Sequence, residues 1–352
     1  METLLTTINS YREYLDYASA LSSQHAIPLT IATHSNLLPG KDFLSGKQVR
    51  GQLSFTPYIY NTCSARCRFC SERLSRPGRS CTADTTPAAN YTTRLQHILN
   101  TLSDCRLFLS LSISGMEPLE SPVFLEQVLN TFSKFEGRGG QVTEKVIYTN
   151  LSAAAREPET VVKLLQKHCI SRIETSRHHY NDEANNHIMR FRTGQPVAAN
   201  DHYRNAVETV SKVLPVKLAC VLQKEGISSV TDVERYIDWA AGMGVRNITF
   251  RELSILGEHF NSGATCKYIR NNRQDIFSLM EELPETFRLT EIIKGYYYFS
   301  FRYLYNNHIS VCFEVSDYEE MIRHHNSHVI NKLIYYPNGD LCMDWNMENK
   351  IY

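Results

Sequence analysis

The sequence predicts an α/β protein: a partial (β/α)6 TIM-like barrel with an N-terminal helix and a C-terminal α+β cap. Apolar, β-branched runs alternate with stretches of helical periodicity through the middle of the chain. This alternation implies a parallel sheet with right-handed crossovers. Six such strands are counted in the sequence, fewer than the eight of a closed barrel, so we expect an open barrel. After about residue 275 aromatic residues crowd together and the alternation stops.

Each element follows from its local pattern. Apolar side chains at helical spacing predict a helix within residues 1–25. The predicted barrel strands are 53–61, 106–114, 144–150, 171–178, 216–223 and 246–253. The helices predicted between them are 91–103, 120–135, 157–169, 182–213 and 229–243. In the cap, Asn338-Gly339 between two apolar runs predicts a β-hairpin. The expected regions are a lead-in at 1–52, a barrel at 53–260 and a cap at 261–352.

Composition restricts the partners and the compartment. The 352 residues include 37 basic and 37 acidic side chains, so the formal net charge is zero and bulk nucleic-acid binding is not expected. No stretch approaches the roughly 18 apolar residues that a membrane helix needs. The N-terminus lacks a basic segment ahead of an apolar one, so no secretory signal is expected. Ten cysteines in such a chain predict thiols or metal ligands in a reducing cytoplasm.

Three cysteines form the most specific motif of the chain. Cys63, Cys67 and Cys70 follow the first barrel strand with the spacing C-x3-C-x2-C, and the aromatic Phe69 precedes the last cysteine. Three thiolates on one short loop suit three irons of a [4Fe–4S] cluster and leave the fourth iron open to a ligand. Zinc with three thiolates and a water is the alternative. The spacing favours the cluster, because zinc sites more often combine C-x2-C pairs with distant partners.

A second motif joins the cysteines. Gly115-Met116-Glu117-Pro118 ends the second barrel strand. Together, the two motifs resemble the radical S-adenosylmethionine enzymes, whose second motif is usually Gly-Gly-Glu-Pro. The resemblance covers about residues 53–253, and Met116 departs from it.

The resemblance implies the chemistry and its cofactors. It implies a [4Fe–4S] cluster on the three cysteines and S-adenosylmethionine bound at the backbone of 115–118. Reduction of the cluster by a partner such as flavodoxin or ferredoxin would then generate a 5′-deoxyadenosyl radical. That radical takes a hydrogen atom from an unactivated C–H bond of the substrate.

A narrower resemblance concerns the enzyme of the first step of molybdenum-cofactor synthesis and its relatives. It implies that Thr149, Asn150 and Ser176 lie near the ribose of S-adenosylmethionine. It also implies that Lys217 binds substrate. The family's asparagine two positions later is Ala219 here, so a different substrate is expected.

Strand alternation sorts the residues expected to line the lumen. Ser110, Ser112 and Ser114 share one face of the second strand, and the apolar residues share the other. We expect Lys217 and Glu174 to be catalytic and the substrate to be a small polar metabolite, such as a sugar or nucleoside derivative. A structural Lys217–Glu174 ion pair is the alternative. The residues expected to bind substrate at the mouth, in addition to Lys217, are His178, His179, Arg251 and Glu252.

The cap carries a possible second metal site. His325, His328 and Cys342 have the spacing H-x2-H-x13-C, at a place where the molybdenum-cofactor relatives often carry a second cluster. Cys312 is a candidate fourth ligand. Two alternatives stay open: a degenerate cap that now binds substrate, which we favour, or a solvated histidine loop. The cysteines expected to be ordinary thiols are Cys81, Cys105, Cys169, Cys220 and Cys266.

Three other functions are alternatives to an enzyme that acts on a small molecule. A radical enzyme acting on a peptide would be expected to carry extra cap cysteines or a peptide-recognition domain, whereas residues 1–52 suit a helix and a lead-in. An RNA-modifying enzyme is suggested only by a basic stretch beside the cysteines. A non-catalytic iron–sulfur sensor would need neither a lined pocket nor the 115–118 motif. The basic stretch comprises Arg66, Arg68, Arg73, Arg76 and Arg79.

Overall fold

The structure, a computed structural model, describes residues 10–32, 37–39, 46–59, 63–74, 89–103, 107–258, 260, 263–325, 327–343, 345 and 350–352; for 37–39 and 325 it describes the backbone alone. The helices in this part of the chain are α1 (Tyr11–His25), α2 (Tyr91–Ser103), α3 (Pro122–Glu136), α4 (Ser152–Arg156), α5 (Pro158–Lys167), α6 (Asp182–Met189), α7 (Asn200–Ser211), α8 (Val230–Ala241), α9 (Ala264–Asn272), α10 (Ile276–Glu281) and α11 (Tyr318–His325).

The strands over the same ranges are β1 (Leu29–Ile31), β2 (Leu37–Pro39), β3 (Gln48–Ile59), β4 (Phe108–Gly115), β5 (Gln141–Thr149), β6 (Arg172–Ser176), β7 (Val216–Leu222), β8 (Asn247–Glu252), β9 (Phe287–Lys294), β10 (Tyr298–Tyr305), β11 (Ile309–Ser316), β12 (Val329–Tyr335) and β13 (Leu341–Cys342). They belong to one sheet, in which β3 to β8 lie side by side, parallel and in chain order. Helices lie between these strands in the sequence. The predicted partial barrel is therefore confirmed.

The prediction of one helix over 182–213 is wrong, because two helices occupy that range. α6 ends at Arg190, which adopts the left-handed conformation with φ +52°. Gly194, at φ +80°, and Pro196 follow before α7 begins at Asn200. A left-handed residue ends a helix and a proline cannot continue one, so the apolar periodicity spans a break that the pattern alone hides.

The C-terminal strands extend the barrel sheet at both of its edges. β11 pairs parallel to β8, and β12 pairs parallel to β3. β10 and β9 continue antiparallel beyond β11, and β1 completes that side. The predicted hairpin is confirmed: β12 and β13 pair antiparallel around Gly339, whose φ is +88°. The cap strands thus satisfy edge N–H and C=O groups of the open sheet.

The core lies between the sheet and its helices, and the lumen lies on the opposite face. Leu109, Leu111 and Ile113 of β4 are completely buried, whereas the three serines between them are partly exposed. This alternation confirms the predicted polar face. Ser10 caps the N-terminus of α1, because its side chain accepts a hydrogen bond from the Glu13 N–H. The helix packs against α10 and the β9–β10 side. In the described part of the chain, no helix is long and apolar enough to cross a bilayer.

Candidate active site at the carboxyl ends of the barrel strands

The cysteine loop, residues 63–74, follows β3 and is fixed by its own backbone. The Arg66 N–H donates to the carbonyl of Met189 at 3.0 Å, and the Arg68 N–H donates to that of Ile188 at 3.1 Å. In return, the Arg192 N–H donates to the Ser64 carbonyl at 2.9 Å. These bonds attach the loop to the end of α6. These hydrogen bonds fix the position of the cysteine backbone relative to α6.

The thiols of this loop influence one another's pKa values. Burial raises the pKa of Cys67 well above its ordinary value, and the neighbouring Cys70 and Cys63 raise it further. Burial also raises the pKa of Cys63, as do Glu117 and Cys70. These thiols lose their protons only if positive charge offsets the burial and the neighbouring charges. A bound metal supplies such charge to its cysteine ligands.

The arrangement of these thiols bears on whether they would bind a single metal ion or a cluster. Among the residues that the structure describes, no three His, Cys, Asp or Glu side chains surround one point as ligands of a single metal ion would. In a cubane cluster the thiols lie farther apart than the ligands of a single metal ion, because each cysteine binds a different iron. The donor set of three thiols with one iron left open suits a [4Fe–4S] cluster.

The end of β4 lies against the end of β3, backbone to backbone. Gly115 has φ +121°, and a Cβ at this position would lie 2.4 Å from the carbonyl oxygen of Ile59. Ile59 is the last residue of β3, shortly before Cys63. Only glycine fits there, because both the conformation and the space exclude a side chain. Steric constraints from the neighbouring strand therefore explain why the 115–118 motif begins with glycine.

Glu117 connects that motif to the end of β5. Its buried carboxylate accepts hydrogen bonds from the Thr149 hydroxyl and, at 2.7 Å, from the Asn150 N–H. Burial raises the pKa of Glu117 to about 7, although these hydrogen bonds oppose the rise. Asn150 Nδ2 in turn donates to Ser64 Oγ at 2.9 Å and lies 3.8 Å from Cys63 Sγ. The structure thus brings together most residues predicted to hold S-adenosylmethionine.

The remaining motif residues lie beside this cluster. Met116 is partly exposed, and Pro118 is buried at the start of a short 3-10 turn, residues 118–120. Ser176 ends β6, is partly exposed, and pairs in register with Ala219 of β7. It belongs to the lumen face, as predicted from alternation with Glu174.

His178 and His179 have different surroundings. His178 is buried, its Nδ1 accepts from the Val221 N–H at 3.0 Å, and its ring lies 4.8 Å from that of Phe69. Burial lowers the pKa of His178 to about 3, so the ring is neutral and carries its hydrogen on Nε2. His179 Nδ1 accepts from the Asn181 N–H at 2.9 Å. His178 therefore packs against the cysteine loop, whereas the ring of His179 lies 4.4 Å from that of Tyr180.

Four charged side chains form a network in the lumen. Arg251 donates from Nη2 to Glu174 at 2.6 Å and from Nε to Glu314 at 2.7 Å. Lys217 Nζ lies 3.7 Å from Glu174 and 3.8 Å from Glu314. Burial raises the pKa of Glu314, but the charges of Arg251 and Lys217 outweigh burial and hold it below its ordinary value. The group, which we call the lumen network, is electrically neutral.

Glu314 was not among the predicted site residues. It lies on β11, in register with Arg251 of β8, and so enters the lumen only because the cap strand joins the barrel sheet. A signal was present in the sequence: Ser310, Cys312, Glu314 and Ser316 alternate with apolar residues. That pattern predicts one polar face for the strand. What the sequence does not reveal is which sheet the strand joins.

No protein-family profile and no curated protein matches this chain. Among solved structures, Streptococcus suis SuiB bound to the precursor peptide SuiA is 13% identical, with a TM-score of 0.46 over 98% of this chain and 66% of that one. anSMEcpe with bound AdoMet is 14% identical, with a TM-score of 0.44 over 56% and 50%. HydG, a maturase of the [FeFe]-hydrogenase, is 13% identical, with a TM-score of 0.40 over 62% and 48%.

The chain spans about half to two thirds of the length of the solved structures that it matches. At these identities and TM-scores the comparisons assign no function to this chain.

Glu252 lies away from the lumen. Its carboxylate pairs with Arg273 and accepts from the Ile276 N–H at 3.3 Å, on the side of β8 that faces α9 and α10. Burial raises the pKa of Glu252 to about 7 despite the nearby Arg273. Neighbouring residues of a strand point to opposite faces, so Arg251 and Glu252 do not share the mouth.

The residues of the predicted second metal site are scattered where they are described. Cys342 is completely buried and packs with Tyr58, Ile334 and Tyr336. His328 is exposed, and the side chain of His325 lies outside the described residues. Cys312 lies on β11, with its sulfur 2.8 Å from Ser300 Oγ. The second site stays a prediction.

The other cysteines fall into three groups. Cys220 is completely buried, as predicted for a core thiol. Cys266 is buried and Cys169 is exposed. Cys81 and Cys105, like Arg76 and Arg79 of the basic stretch, lie outside the described residues.

Proposed function

We propose that the chain is a radical S-adenosylmethionine enzyme that acts on a small polar metabolite, such as a sugar or nucleoside derivative. One observation carries the proposal. A three-cysteine loop, fixed by its own backbone, contacts the end of β5 through Asn150 and Ser64. Glu117, from the second motif, contacts the same strand end. Motifs far apart in sequence thus converge on one place.

The residues fit the implied cofactors. Cys63, Cys67 and Cys70 would hold a [4Fe–4S] cluster, and the backbone of 115–118 would bind S-adenosylmethionine. When bound, this pair supplies a 5′-deoxyadenosyl radical that removes a hydrogen atom from the substrate. The chain contributes binding, orientation and exclusion of water.

Specific groups of the chain suit the two ends of S-adenosylmethionine. Glu117 and the backbone around Gly115 offer acceptors for its amino group. Arg192 offers a cation for its carboxylate: its charge acts on Cys63, and its Nε is buried without a hydrogen-bond partner among the described residues. A buried guanidinium N–H of this kind gains about 1–3 kcal/mol when an acceptor arrives. Thr149, Asn150 and Ser176 are the proposed contacts of its ribose.

The lumen offers the substrate two unlike walls. The serines of β4 are partly exposed on one side, and the lumen network lies on the other. Because the network is already neutral, we infer a substrate with hydroxyl groups, or with balanced charges, over a strongly anionic one. Lys217 and Glu174 are the proposed catalytic pair. Arg251, His179 and, in addition to the predicted set, Glu314 are the proposed substrate contacts.

Two further parts of the proposal concern the setting. A one-electron donor such as flavodoxin or ferredoxin is the proposed source of the electron. The cytoplasm is the proposed compartment, because thiols and iron–sulfur clusters persist under reducing conditions.

The test is anaerobic reconstitution with iron and sulfide, followed by dithionite and S-adenosylmethionine. We expect 5′-deoxyadenosine to form slowly alone and faster with a panel of sugars and nucleosides. If peptides, and not sugars or nucleosides, accelerate formation of 5′-deoxyadenosine, the substrate is a peptide and the small-metabolite proposal is wrong. Complete absence of 5′-deoxyadenosine from a reduced, cluster-loaded chain would favour the non-catalytic sensor.

A further inference from the structure

Tyr148 of β5 lies between the two unlike walls of the lumen. It is in register with Glu174 of β6, which belongs to the lumen network. Residues in register on neighbouring strands point to the same face of a sheet, so Tyr148 faces the lumen as Glu174 does. On its other side β5 pairs with β4, whose partly exposed serines form the opposite wall.

The side chain of Tyr148 is packed unlike that of any other tyrosine which the structure describes. With respect to the described residues, its hydroxyl forms no hydrogen bond, and its ring contacts no other ring, no cation and no hydrophobic cluster. Every other described tyrosine has at least one contact of this kind. Tyr17, for example, is also partly exposed, yet its ring lies 4.1 Å from that of Phe277.

Tyr148 is nevertheless inside the protein. Burial raises the pKa of its phenol above the ordinary value, and the charge of Glu174 raises it further, so the hydroxyl keeps its proton. Part of the side chain is still exposed, which places it on the border of a recess and not in the core. A tyrosine buried for stability packs its ring and gives its hydroxyl a partner. The unpacked ring of Tyr148 therefore indicates a surface that binds a ligand.

We propose that Tyr148 stacks on the heteroaromatic base of the substrate, which is therefore a nucleoside and not a sugar. The inference rests on the proposed function, whose substrate class it narrows. Aromatic rings pair with one another through their flat faces in offset stacks. The edge of a nucleobase carries hydrogen-bond donors and acceptors, and the lumen network offers both kinds of partner. A nucleoside is also neutral, as the network is, and the serines of β4 offer hydrogen bonds to its ribose.

S-adenosylmethionine also carries a base, and the position of Tyr148 disfavours it as the stacking partner. Thr149, the next residue, points to the opposite face of β5 and donates to Glu117 of the 115–118 motif. Tyr148 instead shares its face with Glu174. The ring thus belongs with the lumen network and not with the motif.

The experiment measures binding to the reconstituted chain without reductant, so that no turnover occurs. Saturation-transfer NMR titrates adenosine, guanosine, cytidine, uridine, glucose and ribose, each in the presence of saturating S-adenosylhomocysteine, which occupies the site of S-adenosylmethionine. S-adenosylhomocysteine is also titrated alone. Tyr148→Leu removes the ring, and Tyr148→Phe keeps the ring but removes the hydroxyl. The matched control, Tyr17→Leu, removes a partly exposed ring that packs against Phe277, away from the lumen.

We expect at least one nucleoside to bind the parent chain, Tyr148→Phe and Tyr17→Leu with similar affinity. The same nucleoside should bind Tyr148→Leu about tenfold more weakly or worse, because one stack between a base and an aromatic ring is lost. Urea unfolding should give the opposite order. Tyr148→Leu should keep the midpoint of the parent chain, since its ring is not packed, whereas Tyr17→Leu should lower it.

Several results would overturn the inference. They are binding of a sugar but of no nucleoside, binding of none of the compounds, unchanged affinity in Tyr148→Leu, and equal losses in Tyr148→Leu and Tyr148→Phe. Weaker binding of S-adenosylhomocysteine to Tyr148→Leu would also overturn it, because the ring would then belong to the other site. A chain that binds a nucleoside through Tyr148 but forms no 5′-deoxyadenosine under reduction would count against the proposed function and not against the stacking role of Tyr148.

Discussion

The cysteine loop and the lumen network form two regions of one proposed site and are built in different ways. The loop is held by backbone hydrogen bonds to the end of α6, and the strand before it, β3, ends where Gly115 fits against Ile59. The lumen network is held by four charged side chains from β6, β7, β8 and β11. The first region tolerates changes of exposed side chains but not of backbone shape. The second depends on each side chain.

The largest effect we expect comes from Lys217→Ala in the lumen network. Removing the ammonium group should lower turnover of any compound that stimulates the parent enzyme by on the order of 100-fold, because the substrate loses its position. Slow formation of 5′-deoxyadenosine without substrate should remain, since the cysteine loop is untouched. Lys145→Ala is the control: Lys145 also pairs with a glutamate, Glu136 at 2.6 Å, but on another face. Equal turnover in the two variants would contradict the role of Lys217.

Gly115→Ala tests the backbone fit of the cysteine loop. A methyl group would lie 2.4 Å from the Ile59 carbonyl oxygen and would strain a residue at φ +121°. We expect a loss of about 3 kcal/mol in unfolding free energy, the sum of strain and overpacking. Gly244→Ala has strain alone, because φ is +80° but no atom lies within 4 Å of the added carbon, and should cost about 1 kcal/mol. Urea unfolding measures both, and similar losses would disprove the close fit.

Glu174→Gln breaks the lumen network at its most buried carboxylate. The glutamate side chain is 2% exposed and pairs with Arg251 and Lys217. Removing one partner of a buried ion pair leaves uncompensated charge, so we expect a loss of about 2–3 kcal/mol by urea unfolding. The control Glu291→Gln breaks the exposed pair with Arg302, worth less than about 1 kcal/mol. If the lumen network does not stabilise the fold, both variants will show the same small loss of unfolding free energy.

The last effect depends on pH and concerns Glu117. Its pKa is raised from 4.5 to about 7 in the folded chain, so the folded state holds a proton that the unfolded state has lost. Glu117 therefore contributes stability that is full below pH 4.5 and is lost as pH rises to about 7. Relative to Glu117→Gln, the parent metal-free chain should lose on the order of 3 kcal/mol across this window, since each pKa unit is worth about 1.4 kcal/mol. The exposed Glu208→Gln serves as control, and parallel curves for parent and Glu117→Gln would refute the assignment.

The contrast between the two regions also explains what the sequence could predict. The cysteine loop and residues 115–118 were found because backbone-fixed sites leave short motifs of fixed spacing. Alternation correctly placed Glu174 and Lys217 on one face. It did not reveal Glu314, because pairing of β11 with β8 is a contact between distant segments. Arg251 and Glu252 were assigned to the same mouth, although adjacent strand residues point to opposite faces.

The most direct test of the central claim is the iron and sulfide content per chain after anaerobic reconstitution. The account predicts about four of each per chain, as one [4Fe–4S] cluster requires. A triple variant with alanine at Cys63, Cys67 and Cys70 should then hold almost none, and one with alanine at Cys169 and Cys266 should match the parent. Zinc bound in place of iron, or iron retained by the triple variant, would contradict the account.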